Sequence, residues 1–148
     1  MSELMKLRHD HAELARMFRQ LERIIALSEA PSQLELFELR RSLMQALIGH
    51  LKLEDWALYP RLIDSSDEQI SATGRHFKEE MGGLAPAFLG YCEKWTANTI
   101  AADWPAYCAD TRSLLDALSD RLNRENRELL PLLERLDGVP ETPLSALA

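Results

Sequence analysis

Apolar residues return at helical spacing along almost the whole chain, and that periodicity leaves few folds open. From about residue 3 to 28, Leu7, Leu14, Met17, Phe18, Leu21, Ile24 and Ile25 step by three, four and seven, one face of a helix. Ala30-Pro31 ends it, because the residue before a proline is pushed out of the helical region. A second helix opens on Ser32-Gln33-Leu34-Glu35, a capping box with serine at the N-cap and glutamate three residues on. It continues through Leu36, Leu39, Leu43, Leu47, Leu51, Glu54 and Leu58 to Pro60, where a kink or a stop is expected. A third opens on a similar box, Ser65-Ser66-Asp67-Glu68, and runs to about 97, with a bend expected at Gly82, Gly83 and Pro86. Thr96 to Ala102 reads as a loop. The fourth helix starts near Asp103-Trp104-Pro105 and runs to about Leu136, ended by Asp137-Gly138. No stretch reads as a strand. Four long helices with short links predict an all-α, up-down-up-down four-helix bundle over residues 1–137, followed by a loose tail over 138–148.

Composition narrows the function classes. The chain has 148 residues, with 17 Lys+Arg against 24 Asp+Glu and a net charge of −7. A binder of the phosphate backbone needs a basic face, so nucleic acid is not an expected partner. No apolar run is long enough to span a bilayer, and MSELMKLRHDHAEL has no continuous apolar core of a signal peptide. The expected setting is therefore cytoplasmic. Cys92 and Cys108 form no CxxC and read as two half-buried thiols. Trp56, Trp95 and Trp104 are expected in the core rather than at an interface. A homodimer or another protein partner is compatible with this surface, although no exposed heptad seam marks one.

The chain also repeats itself. Shifted by 71, Arg41-Ser42-Leu43 falls on Arg112-Ser113-Leu114, and Ala46-Leu47 on Ala117-Leu118. Leu51, Glu54, Leu58, Pro60 and Leu62 fall on Leu122, Glu125, Leu129, Pro131 and Leu133. Leucine periodicity explains the leucines but not glutamate, proline, serine and arginine in the same register. A weaker correspondence, at an offset of 65, places His11 on His76. The bundle therefore reads as two helix pairs related by an approximate twofold, in which His50 and Glu54 have Arg121 and Glu125 as counterparts.

His50 and Glu54 lie one turn apart on the stripe that holds Leu47, Leu51 and Leu58. A buried imidazole and carboxylate are costly unless paired or bound to a cation. His76 and Glu80 repeat the spacing on the third helix, with Glu79 competing for the inward place. His11 sits beside Leu7 and Leu14, whereas His9, two residues away, faces outward. The expected core cluster is His11, His50, Glu54, His76, Glu80 and Glu125, a donor set that suits iron, manganese or zinc. Bundle cores commonly hold such sites. A ferritin-like site needs Glu-x-x-His, and none of the four histidines has glutamate three residues before it.

These pieces resemble the hemerythrin-like (HHE cation-binding) family. The resemblance rests on Asp10-His11 with Leu14, on His50-Leu51-Lys52-Leu53-Glu54 with Leu58-Tyr59-Pro60, on His76 to Glu80, and on Glu125 with Glu128-Leu129-Leu130-Pro131. It covers roughly residues 5 to 135. It implies a four-helix bundle with a non-haem di-iron site, whose members bind oxygen, store or sense iron, or respond to redox state. His11, His50 and His76 would be terminal ligands, Glu54 and Glu125 bridging carboxylates, and Glu80 a further ligand position. The family pattern has histidine where this chain has Arg121. Arginine stays protonated and offers no lone pair, so the resemblance implies an altered iron site, mono- or dinuclear. Three site carboxylates balance Arg121 plus one divalent cation. Arg121 paired with Glu54 or Glu125 would instead close a metal-free core, a bundle acting through protein interaction or regulation. No nucleophile or substrate pocket is evident, which weighs against an enzyme.

Overall fold

The structure, a computed structural model, describes residues 3–136. Four helical arms make up the molecule. The first is α1 (Glu3–Ile25). The second is α2 (Gln33–Leu53), a π-helical turn (Glu54–Leu58) and α3 (Tyr59–Ile63) in unbroken succession. The third is α4 (Glu68–Met81) and α5 (Leu84–Lys94). The short α6 (Ala97–Ala102) leads into the fourth, α7 (Trp104–Arg124), a second π-helical turn (Glu125–Leu129) and a further helical stretch to 136. No strand occurs among the described residues. The tail expected over 138–148 and the stop at Asp137-Gly138 lie outside them.

Pairs between arms show how they run. Along α1 and the fourth arm, Arg8 meets Glu134, His11 meets Asn126, and the Trp104 indole donates to the Leu27 carbonyl. Along the third and fourth arms, Asp67 meets Arg135, Glu80 meets Arg124, and Asp110 meets Lys94. Along α1 and the second arm, Glu3 meets Arg61 and Asp10 meets His50. In each case the numbers rise on one arm as they fall on the other, so these neighbours are antiparallel.

Several boundaries differ from the sequence expectation for identifiable reasons. Residues 97–102 are a helix rather than a loop, held by a capping box in which Thr96 and Thr99 exchange side-chain and backbone bonds. The third arm is capped by Asp67, whose carboxylate accepts from the amides of Gln69 and Ile70, and not by Ser65. It breaks at Gly82-Gly83 instead of merely bending. Pro60 neither ends nor interrupts the second arm. A proline in a helix clashes with the carbonyl four residues back. Here the preceding turn is widened, and the Tyr59 amide bonds to the Glu54 carbonyl five residues away. Pro131 follows the same device, with the Leu130 amide on the Glu125 carbonyl. Trp95 and Trp104 are buried as expected, but Trp56, on the outward side of the first π turn, is 74% exposed.

The core is in two parts. One apolar cluster gathers Leu14, Phe18, Leu21, Leu47, Leu51, Tyr107, Leu118 and Leu122 with their neighbours. The other gathers Leu7, Leu58, Tyr59, Leu62, Phe77, Leu129 and Leu133. Between Leu7 and Leu14 lies His11, between Leu51 and Leu58 lies Glu54, and between Leu122 and Leu129 lies Glu125. A polar layer therefore crosses the bundle between two hydrophobic blocks.

Candidate metal centre

His11, His50, Glu54, Arg121 and Glu125 are all buried in that layer. The apolar residues on either side of each fix its phase, so the side chain has nowhere to turn but inward. His11 Nε2 lies 3.3 Å from Glu54 Oε2 and 3.3 Å from Glu125 Oε1. His50 Nε2 lies 3.0 Å from the same Glu54 oxygen. One donor atom from each of His11, His50, Glu54 and Glu125 falls within 4.8 Å of every other.

Arg121 fills the remaining side of the layer. Its Nη2 donates to Glu54 Oε1 at 3.0 Å and to Asp55 Oδ1 at 3.1 Å, and its Nη1 to the Met81 carbonyl at 3.0 Å. Its Nε stands 3.4 Å from Glu125 Oε2. The guanidinium also sits 5.3 Å from the centre of the Tyr59 ring, whose hydroxyl donates to Glu125 Oε2. The carbonyl at the end of α4 thus meets a cation at the glycine break, as helix C-termini favour.

The electrostatics follow from crowding charges in a dry layer. Burial opposes charge on Glu54, but the hydrogen bond from His11 and the close approach of the His50 ring outweigh it and hold its carboxyl below the usual range. For Glu125 burial wins: with the Glu54 charge beside it, its carboxyl is pushed up to about 7. Burial alone would lower His11, yet Glu125 and Glu54 raise it to about 10. Burial, then the charges of Glu125 and Glu54, push the Tyr59 phenol up, so it stays a hydrogen-bond donor.

The sequence expectation of six inward donors needs correction at two of them. His76 and Glu80 are paired with each other at 3.0 Å but stand outside the bundle, 55% and 40% exposed, with Arg124 on Glu80. The reason is phase. Ile70, Gly74, Phe77 and Met81 form the inward stripe of α4, and Phe77 takes the place that His76 would need. Asp55, partly buried, joins the cluster instead of Glu80, through Arg121. Three further residues escaped the sequence reading: Asp55, Tyr59 and Asn126, whose Oδ1 lies 2.7 Å from His11 Nδ1. Tyr59 directly follows the first π turn, and Asn126 lies in the second. In the sequence Tyr59 stands out only within Leu58-Tyr59-Pro60, which gives it no role, and Asn126 only as the neighbour of Glu125.

The remaining donors suit a cation. Neither nitrogen of His50 nor Oε1 of Glu125 has a hydrogen-bond partner, although all are buried. Unpaired buried polar atoms are costly. Four ligand atoms about 2.1 Å from one ion stand roughly 3.4 Å apart in a tetrahedron, close to the three spacings of 3.0, 3.3 and 3.3 Å here, while the four atoms together fall within 4.8 Å. An acceptor on His11 Nδ1 would leave its Nε2 lone pair free to ligate.

Among known families, the Hemerythrin HHE cation binding domain matches residues 3–133. No curated protein and no solved structure matches the chain. No helix among the described residues is long and apolar enough to cross a membrane. A helical bundle with a buried histidine and glutamate cluster, matched over nearly its whole length, belongs to the hemerythrin HHE cation-binding domain family.

Proposed function

We propose that the chain binds one divalent transition-metal cation, iron by donor set and family, through His11, His50, Glu54 and Glu125, and that it serves oxygen, redox or iron sensing. One ion per chain is too little for bulk storage. Arg121 is the observation that carries this reading. A permanently protonated guanidinium, wholly buried against Glu54, Asp55 and Glu125, occupies the side where a second ion would need an imidazole. Its positive charge also repels a second cation. Glu54, Asp55 and Glu125 balance Arg121 plus one divalent ion, so the charge balance holds with Asp55 in the place of Glu80.

Iron held there would supply one-electron redox chemistry and affinity for oxygen. The chain's own residues orient the donors. Tyr59 and Arg121 fix Glu125, Arg121 fixes Glu54, and Asn126 fixes His11.

One observation favours a second reading. With His11 raised to about 10 and the Glu125 carboxyl pushed up to about 7, protonated His11 and Arg121 balance Glu54 and Asp55 without metal while Glu125 is neutral. The chain would then be a metal-free relative acting as a protein-interaction or regulatory bundle. Metal per chain after anaerobic loading with ferrous iron separates the two. The expected values are about one ion for the parent and about two for Arg121→His. No iron in the parent, with uptake by Arg121→His, supports the second reading. Two irons in the parent remove the role assigned to Arg121.

A further inference from the structure

Among the described residues, two grooves border the buried layer. One, of about 200 Å³, lies between α1 and α7 and ends on His11, with Asn123 and Asn126 on its wall. The other, of about 360 Å³, lies between α1 and α2 and ends on His50, beside Lys6, Asp10, Glu13 and Gly49. A cation meets different chemistry in each. In the first, Asn126 already faces the outer nitrogen of His11. In the second, Asp10 places Oδ2 3.6 Å from His50 Nδ1, and that buried nitrogen has no hydrogen-bond partner. Asp10 and Glu13 stand three apart on α1, both on the groove, but Glu13 is paired with Arg16 at 2.9 Å, which leaves Asp10 as the carboxylate facing His50.

Gly49 lines the same groove. A glycine inside a helix is destabilising relative to alanine. Some glycines are needed because a neighbour comes too close, but a Cβ built at Gly49 meets no atom within 4 Å. What the missing side chain does here is leave the groove clear next to His50.

We propose that the groove between α1 and α2 is the route by which a divalent cation reaches the layer, with Asp10 drawing it in and Gly49 keeping the passage open. The inference rests on the cation-binding reading above. A route differs from a site in its kinetics: narrowing it slows arrival and departure by the same factor and leaves the affinity unchanged.

The test uses the full chain and cobalt(II), whose visible absorption reports coordination. Loading is followed by stopped-flow mixing, release by excess chelator, and affinity by titration. Gly49→Phe fills this groove, and Asn123→Trp fills the other. Gly49→Phe is expected to slow loading and release each by about tenfold or more, with affinity within about threefold of the parent. Asn123→Trp is expected to leave both rates within about twofold. Circular dichroism checks that each variant folds. If Gly49→Phe does not, Gly49→Ala and Gly49→Leu give a graded series in which rates fall with side-chain size. Parental rates in the filled Gly49 variants, or slowing by Asn123→Trp instead, overturn the route and leave the site standing. A parent that takes up no cobalt in the titration overturns the site and the route together.

Discussion

At Glu54, two imidazoles and a guanidinium converge on one buried carboxylate. Removing charge from any of them leaves the others uncompensated, which is why breaking one partner of a buried network is far more damaging than the network is stabilising. Protonation makes this visible. His11 is raised from 6.5 to about 10, so the stability it contributes is full below about pH 6.5 and is lost as pH rises through 10. Glu125, pushed up to about 7, acts in the same direction, because its neutral form suits the fold and it ionises as pH rises. Glu54 acts only at low pH, since its carboxyl is held down. The metal-free chain should therefore melt at lower temperature as pH goes from 6 to 9. Cation affinity should rise over the same interval, by up to about tenfold per pH unit, because the ion displaces a proton from His11. Calorimetry and titration at three pH values check the pair of opposite slopes; parallel slopes would contradict the assignment of His11. The inward direction of His11, His50, Glu54 and Glu125 was legible in the sequence, because leucines three or four residues away fix their phase. His76 lacked such neighbours. Its spacing to Glu80 imitated the pattern of His50 and Glu54, but Phe77 and Met81 own the inward face of α4.

Each helical arm carries information that a regular helix would not. The repeat at offset 71 extends to backbone geometry: both π turns begin at the corresponding carboxylates, Glu54 and Glu125, and both precede a proline. The repeated glutamate and proline were legible, but the widened turn was not, because periodicity assumes a uniform helix. Tyr59 directly follows the first of these turns, and Asn126 lies in the second. Two glycines show how packing decides what a helix tolerates. At Gly74 a Cβ would stand 2.9 Å from Leu62 Cβ and 3.1 Å from the Ile63 amide nitrogen, so α3 and α4 pack closely there. Gly74→Ala should lose about 1–3 kcal/mol to overpacking. Gly49→Ala should gain about 0.5–1 kcal/mol, since its surroundings are open. Chemical denaturation of both variants measures the contrast, and a loss at Gly49 would contradict the open groove beside His50.

Across the whole molecule, the polar layer divides two hydrophobic blocks and draws on all four arms: His11 from the first, His50, Glu54 and Asp55 from the second, the Met81 carbonyl from the third, and Arg121 and Glu125 from the fourth. The third arm was expected to contribute side chains and contributes a backbone carbonyl at its glycine break. The bundle itself was legible from helical spacing; the break was legible only as a bend, since two glycines weaken a helix without saying where its freed carbonyl goes. Arg121 answers that, and in doing so it joins the break to the cluster. The central claim is that this arginine leaves room for one cation. Diffraction from iron-loaded crystals, collected at the iron absorption edge, tests it directly. The account predicts one anomalous peak per chain, among His11, His50, Glu54 and Glu125, with Arg121 still paired to Glu54 and Asp55. Two peaks, or none with the donors closed on one another, would contradict it.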